Sequence, residues 1–179
     1  MEVREEVLAK VLRYKIENDL PTYLEQVKSE WETTHSVGTI SIDADPIVGF
    51  LTTIPEVIIS GWEEIPEDEL DRIDRYPCVF CYVTEISSVP DFAEQETTRR
   101  SQFFCGLKII DEGSAMDTLE KKLYRYTNAV WRMIRADMFL KDSGWMVDDV
   151  ARIYSATTPT EPFLKAGLVS FTVMIPEVA

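Results

Sequence analysis

The sequence predicts an α+β domain in which an antiparallel β-sheet carries helices on one face, preceded by N-terminal helices, and three observations predict it. Apolar residues recur at three- and four-residue steps through residues 1–32 and again from Met116 to Ile134. The stretches Tyr76–Ile86, Gln102–Ile110 and Leu168–Ile175 are instead continuous or alternating in apolar residues, as strands are. Strand-like stretches that follow one another in sequence favour antiparallel pairing.

Val3, Val7, Leu8, Val11, Leu12 and Ile16 mark a first amphipathic helix. Asn18-Asp19-Leu20-Pro21 interrupts it, and Leu24, Val27 and Trp31 resume the spacing behind a proline suited to a first helical turn. Residues 1–33 thus read as a helical segment and 54–179 as the sheet-and-helix body of one domain, 1–179. Between them runs a loop through His35, Gly38 and Asp43-Ala44-Asp45-Pro46, then the stretch Ile47 to Leu51, which fits helix or strand equally. Val57-Ile58-Ile59 is β-branched and strand-like. Glu63–Asp74 holds seven acidic residues and reads as a solvated connector.

Tyr76–Ile86 is apolar enough for a strand buried on both faces, and is the candidate central strand. Gln102–Ile110 puts Phe103, Cys105, Leu107 and Ile109 on one side and Lys108 on the other, and should pair with it as a hairpin. The connecting loop, Ser87–Ser101, is polar apart from Val89 and Phe92 and is expected to be mobile until a neighbour docks on it through Phe92, Arg99 and Arg100. Ser114, with Asp117 three residues on, is placed to cap a helix whose core stripe is Met116, Leu119, Leu123, Tyr126, Val130, Met133 and Ile134. Val150–Tyr154 and Leu168–Ile175 close the sheet.

Eighteen basic against 32 acidic side chains give a formal charge of −14, which excludes attraction of the whole surface to nucleic acid or anionic lipid. The opening residues are polar and acidic where a secretory segment is basic and apolar, and no run approaches the roughly 20 apolar residues of a membrane helix. Three cysteines make no disulfide framework. A cytosolic chain without disulfides is expected.

Cys78 and Cys81 have the spacing of a metal knuckle, but three residues apart on a strand they face opposite ways, so with Cys105 they are expected to be metal-free packing residues. His35 reads as a loop histidine, and Asp43 and Asp45 as turn residues before Pro46. Lys121, Arg125, Arg132 and Arg135, with Asn128 in the gap, step by four, three, four and three along the long helix as a basic stripe. It is either a solvated face with in-helix pairs such as Asp117 to Lys121, or a surface that meets an acidic partner. On the second reading, glutamate at both Arg125 and Arg132 should spare the fold and abolish association.

The helix, the strand, Tyr76-Pro77-Cys78-Val79-Phe80-Cys81-Tyr82-Val83, the loop-linked strand, the helix with Leu119-Glu120-Lys121-Lys122-Leu123-Tyr124-Arg125-Tyr126 and the closing strand Leu168–Ile175 together resemble tail terminator, or neck (tail-completion), proteins of long-tailed bacteriophages. The resemblance covers most of the chain from Ile54 onward. It implies a hexameric ring at the head-proximal end of a tail, which stops addition of tail tube protein and meets the head connector. The subunits are then each other's partners, with Lys121, Arg125, Arg132 and Arg135 at their interface. It implies no cofactor, no catalysis and no membrane, and a place in the virion after assembly in the host cytoplasm. DNA crosses such a ring without specific binding, which an acidic wall suits. Two other classes stand beside it: a small cytosolic enzyme with a site near Asp43, Asp45 and His35, aided by Cys105, or a regulatory adaptor that forms no ring.

Overall fold

The computed structural model describes residues 4–59, 73, 75–90, 99–154 and 160–177. Helices α1 (Arg4–Asn18) and α2 (Leu20–Glu32) follow one another with Asp19 as the joint. The Asp19 N–H donates to the Lys15 carbonyl and ends α1, while Pro21 occupies the first turn of α2, where its missing N–H costs nothing. Leu8, Leu12 and Ile16 from α1 and Leu24 and Val27 from α2 are buried, as the spacing predicts, and Leu20, read as part of the interruption, is buried with them while Trp31 is half-buried.

The loop predicted after α2 contains a small antiparallel hairpin, β1 (His35–Val37) and β2 (Ile40–Ile42). Gly38, at φ +61, makes the turn. Three residues per strand are too few for alternation to stand out in sequence. Ile47–Leu51 is neither helix nor strand.

The main sheet comprises β3 (Glu56–Ile59), β4 (Cys78–Pro90), β5 (Arg99–Gly113), β6 (Trp145–Met146), β7 (Ala151–Tyr154) and β8 (Phe163–Glu177), in the order β3-β4-β5-β8-β6, with β7 also on β8. All pairings are antiparallel except β3 with β4, which makes the sheet mixed at one edge. Parallel neighbours need a long connection, and the chain between Ile59 and Cys78 provides its length. The predicted central strand, β4, is interior, but the middle of the order is β5.

The predicted loop Ser87–Ser101 is shorter than the sequence suggests. β4 and β5 stay paired as far as Pro90 and Arg99, after a register shift between Glu85 and Ser87. Arg99 and Arg100 also pair with Glu177 and Pro176 of β8, so their backbone belongs to a three-stranded ladder and not to a loop. Two neighbours extend β5 through residues whose polarity alone argues against a strand. Phe92 lies outside the described residues, as does the acidic connector Glu63–Asp74 apart from Ile73.

Helix α3 (Met116–Arg135) lies across β5 and β8, α1 lies over β4, and α2 packs on α3, so the helices share one face of the sheet. The core between them includes Val79, Cys81, Phe103, Cys105, Leu107, Ile109, Val169, Phe171 and Val173, every one of them buried. At Gly167 the strand passes so close to α3 that a Cβ would run into Thr127 Oγ1. The opposite face holds a second cluster of Cys78, Phe80, Ile110 and Ala166.

Helix α3 starts one residue later than predicted. Ala115 is its N-cap, no side chain caps it, and Met116 stays exposed while the rest of the predicted stripe is buried. Glu112 and Gly113 remain in β5, which leaves Ser114 outside the cap position. Beyond the helix, Leu140, Lys141 and Asp142 all have positive φ, at 44, 55 and 63°, a left-handed turn uncommon for residues other than glycine.

Candidate functional site

The basic stripe of α3 divides into two environments. Arg125 is only 6% exposed at its side chain, with Nη2 3.0 Å from Asp45 Oδ2 and its guanidinium 4.2 Å above the Trp31 ring. Lys121 Nζ reaches the same carboxylate oxygen at 2.9 Å. The Lys121 hydrogen bond, together with the charges of Lys121 and Arg125, holds the Asp45 carboxyl below the usual carboxylate value against the opposing effect of burial. Burial pulls Arg125 below the ordinary arginine value, with Asp45 acting the other way. Arg132 forms a two-pronged pair with Glu30 of α2, at 2.5 and 2.9 Å, and Glu30 raises its pKa.

These contacts correct the picture of an open stripe. Lys121, Arg125 and Arg132 bind the Asp45 loop and α2 to α3, and the in-helix partner expected for Lys121 gives way to a carboxylate from a distant loop. Asp43 and Asp45 lie outside any turn, and Asp45 is instead an anchor whose own N–H donates to the Trp31 carbonyl at 2.9 Å. Paired stripes do not announce their partners in sequence, because the two halves here are separated by 80 residues for Arg125 and 102 for Arg132.

Arg135 has a different setting. Its guanidinium lies 4.7 Å from the centroid of Trp131, and Arg152 of β7 lies 4.3 Å from the same ring. Trp131 Nε1 donates to the Val150 carbonyl at 3.0 Å, and Arg152 donates to Asn128 Oδ1 at 3.4 Å. Tyr124 meets Tyr154 edge to face at 4.7 Å. Tyr124, Asn128, Trp131 and Arg135, at steps of four, three and four, thus form a second line on α3 that faces β7. Trp131 and Arg152 were not expected as site residues; the signal available was an aromatic residue within the basic helix and an arginine two residues before Tyr154, on the same face of a short strand.

Another buried charge joins the helices at their ends. Lys15 is 3% exposed and contacts Asp137 at 2.9 Å and Asp19 at 3.3 Å. Burial pushes the Asp137 carboxyl up, but the Lys15 hydrogen bond and charge, with the Lys141 N–H, outweigh it and leave the pKa lowered. A lysine on the apolar face of α1 gave no sign in sequence that a carboxylate would arrive from beyond α3.

His35 meets Trp31 edge to face at 5.4 Å and lies at one end of a shallow groove on α2 with Glu25, Gln26, Ser29, Glu30 and Thr33. Cys105 has no exposed surface and lies in the main core, so it does not join His35 and Asp45, which both contact Trp31, in one cleft. Cys78 and Cys81 sit in the two different clusters, on opposite faces of β4. Burial raises all three thiols to about 12. Among the described residues no three His, Cys, Asp or Glu side chains group as metal ligands, and no helix is long and apolar enough to cross a membrane. No protein-family model matches the chain, and no curated protein matches it.

Proposed function

We infer that this chain is a structural subunit that closes into a hexameric ring at the head-proximal end of a phage tail, ends growth of the tail tube and joins the tail to the head connector. The observation that carries the reading is the arrangement of the segments behind the sequence resemblance. Tyr76–Val83, Gln102–Ile110 and Leu168–Ile175 lie in or next to the adjacent strands β4, β5 and β8, and Leu119–Tyr126 lies in the helix across β5 and β8. The charge of −14 supports it further, since a ring of such subunits repels the DNA that crosses it.

On this reading the partners are other copies of the chain, the tail tube protein and the head connector, without a cofactor, and the protein resides in the virion after assembly in the host cytoplasm. Native mass spectrometry and negative-stain microscopy of the purified protein, alone and with tail tubes, test it. Annular hexamers are expected. Monomers or dimers at every concentration, with and without tubes, would sink the proposal.

A further inference from the structure

We propose that the surface formed by Trp131, Arg135 and Arg152 binds the outward, acidic face of α2 in a second copy of this chain; this rests on the ring reading and names the two surfaces that meet in the ring.

Arg135 and Arg152 form no ion pair with any described residue, although acidic side chains outnumber basic ones by 32 to 18. The contrast lies within the same helix: Lys121, Lys122, Arg125 and Arg132 each close on a carboxylate. Both exposed guanidinium groups are instead stacked on one half-buried indole, and Arg152 is further held by Asn128. Stacking orients their hydrogen-bonding edges in advance, which lowers the entropy lost when a carboxylate is bound. Tyr124 and Tyr154, 43% and 37% exposed, extend the patch, and tryptophan, tyrosine and arginine are the side chains that dominate protein contacts.

A planar cationic fork pairs with carboxylates and phosphates, and a chain with 32 acidic side chains offers its own copies the former. Within this chain the outward face of α2, opposite Leu20, Leu24 and Val27, presents Glu25 and Glu32 as exposed side chains with Gln26 and Ser29 between them. Glu25 has no ion-pair partner among the described residues, and Glu32 has only a 3.9 Å contact with Lys28. Seven residues separate them, two helical turns or about 10 Å along the axis, a spacing that offers one carboxylate to each arginine. The Arg132–Glu30 pair holds α2 on α3, so this face is presented by a fixed helix.

The two surfaces lie on different sides of α3. Arg125 and Arg132 point toward Asp45 and α2, whereas Tyr124, Asn128 and Trp131 point toward β7. A contact between unlike surfaces is heterologous, and each subunit then keeps one surface of each kind for the next copy. That is the interface a closed ring requires.

The test compares the parent with Arg135→Glu/Arg152→Glu and with Glu25→Arg/Glu32→Arg by sedimentation velocity at low and high salt. The parent should associate, and each variant alone should associate roughly tenfold or more weakly, because its two surfaces now carry like charge. An equimolar mixture of the variants should recover association, since each reversed surface meets its opposite on the other protein, and high salt should weaken it. Circular dichroism reports folding; if the glutamate pair unfolds the subunit, Arg135→Gln/Arg152→Gln takes its place, with the same weakening expected. Variants that each assemble as the parent does, while the parent forms rings, overturn this contact and leave the ring intact. A parent that stays monomeric alone and with tail tubes, with no complex on mixing the variants, overturns both. A monomeric parent that binds a labelled hexaglutamate peptide through Arg135 and Arg152 assigns the patch to another acidic protein and likewise overturns the proposal.

Discussion

Arg125 Nη2 lies 3.0 Å from Asp45 Oδ2, and the same guanidinium covers the Trp31 ring, so one cation ties α3 to a loop and to the end of α2. Arg125→Glu places a second carboxylate beside Asp45 and removes the stack on Trp31. The melting temperature of the protein should fall by about 5–10 °C. Lys121→Glu, at a site 50% exposed, should lower it far less. The sequence alone suggests that glutamate at Arg125 spares the fold; an unchanged melting curve would restore that view.

Gly167 lies directly beneath Thr127, with no room for a side chain. Gly167→Ala should cost about 1–3 kcal/mol in urea denaturation by forcing α3 away from β8. In a Thr127→Ala background the cost should shrink, with a coupling of about 0.5 kcal/mol or more. Additive losses would show that α3 does not rest on this strand as described.

All three cysteines titrate near 12 in the fold, against an ordinary value of 9.0. A raised thiol pKa means that the fold favours the neutral form. Its contribution to stability is complete below 9.0 and is lost as pH rises toward about 12. At pH about 8 a thiol-reactive dye should label none of the three in native protein and all three in urea. Rapid native labelling at any one of them contradicts its burial.

Asp137 behaves in the opposite sense. Its pKa is lowered in the fold, so its contribution is full above the ordinary 3.8 and disappears as pH falls through the lower folded value. Asp137→Asn should cost about 1–3 kcal/mol at neutral pH, because Lys15 loses its nearer partner. It should also flatten the acid limb of the stability curve, measured by urea midpoints between pH about 2 and 6. An acid limb identical to the parent's assigns that loss of stability to other carboxylates.

Asp142, exposed and at φ +63, ends the left-handed run that begins at Leu140. Asp142→Gly removes the steric cost of that conformation and should raise stability by about 0.5–1 kcal/mol. A loss of similar size would mean that the aspartate side chain holds the turn.

The helices and long strands were legible because their burial follows from local spacing: Leu8 and Leu12, Leu119 and Leu123, Phe103 and Cys105 fall where three-to-four and two-residue periods put them. The β1–β2 hairpin was not, since three residues per strand leave no period to detect. Arg99 and Arg100 read as loop because their place in β5 depends on β8, a strand that arrives more than sixty residues later. The site was legible only in part. A stripe of cations can be counted on α3, but which of them finds Asp45 or Glu30 and which is left on Trp131 depends on where α2 and β7 come to rest.

β8 follows every other described strand in sequence, yet it is inserted between β5 and the strands β6 and β7. The β4–β5 pair can close as a hairpin, whereas β8 reaches β5 only after α3 and the segment behind it have been synthesised. Until then a growing chain carries β5 with an open row of amides and carbonyls, and α3 lacks Val169, Phe171 and Val173 beneath it. Arrival of β8 seals the adhesive edge and seats the helix in one event. Folding is thus timed from within: a chain still on the ribosome has an exposed β5 edge, and a finished one has hidden it.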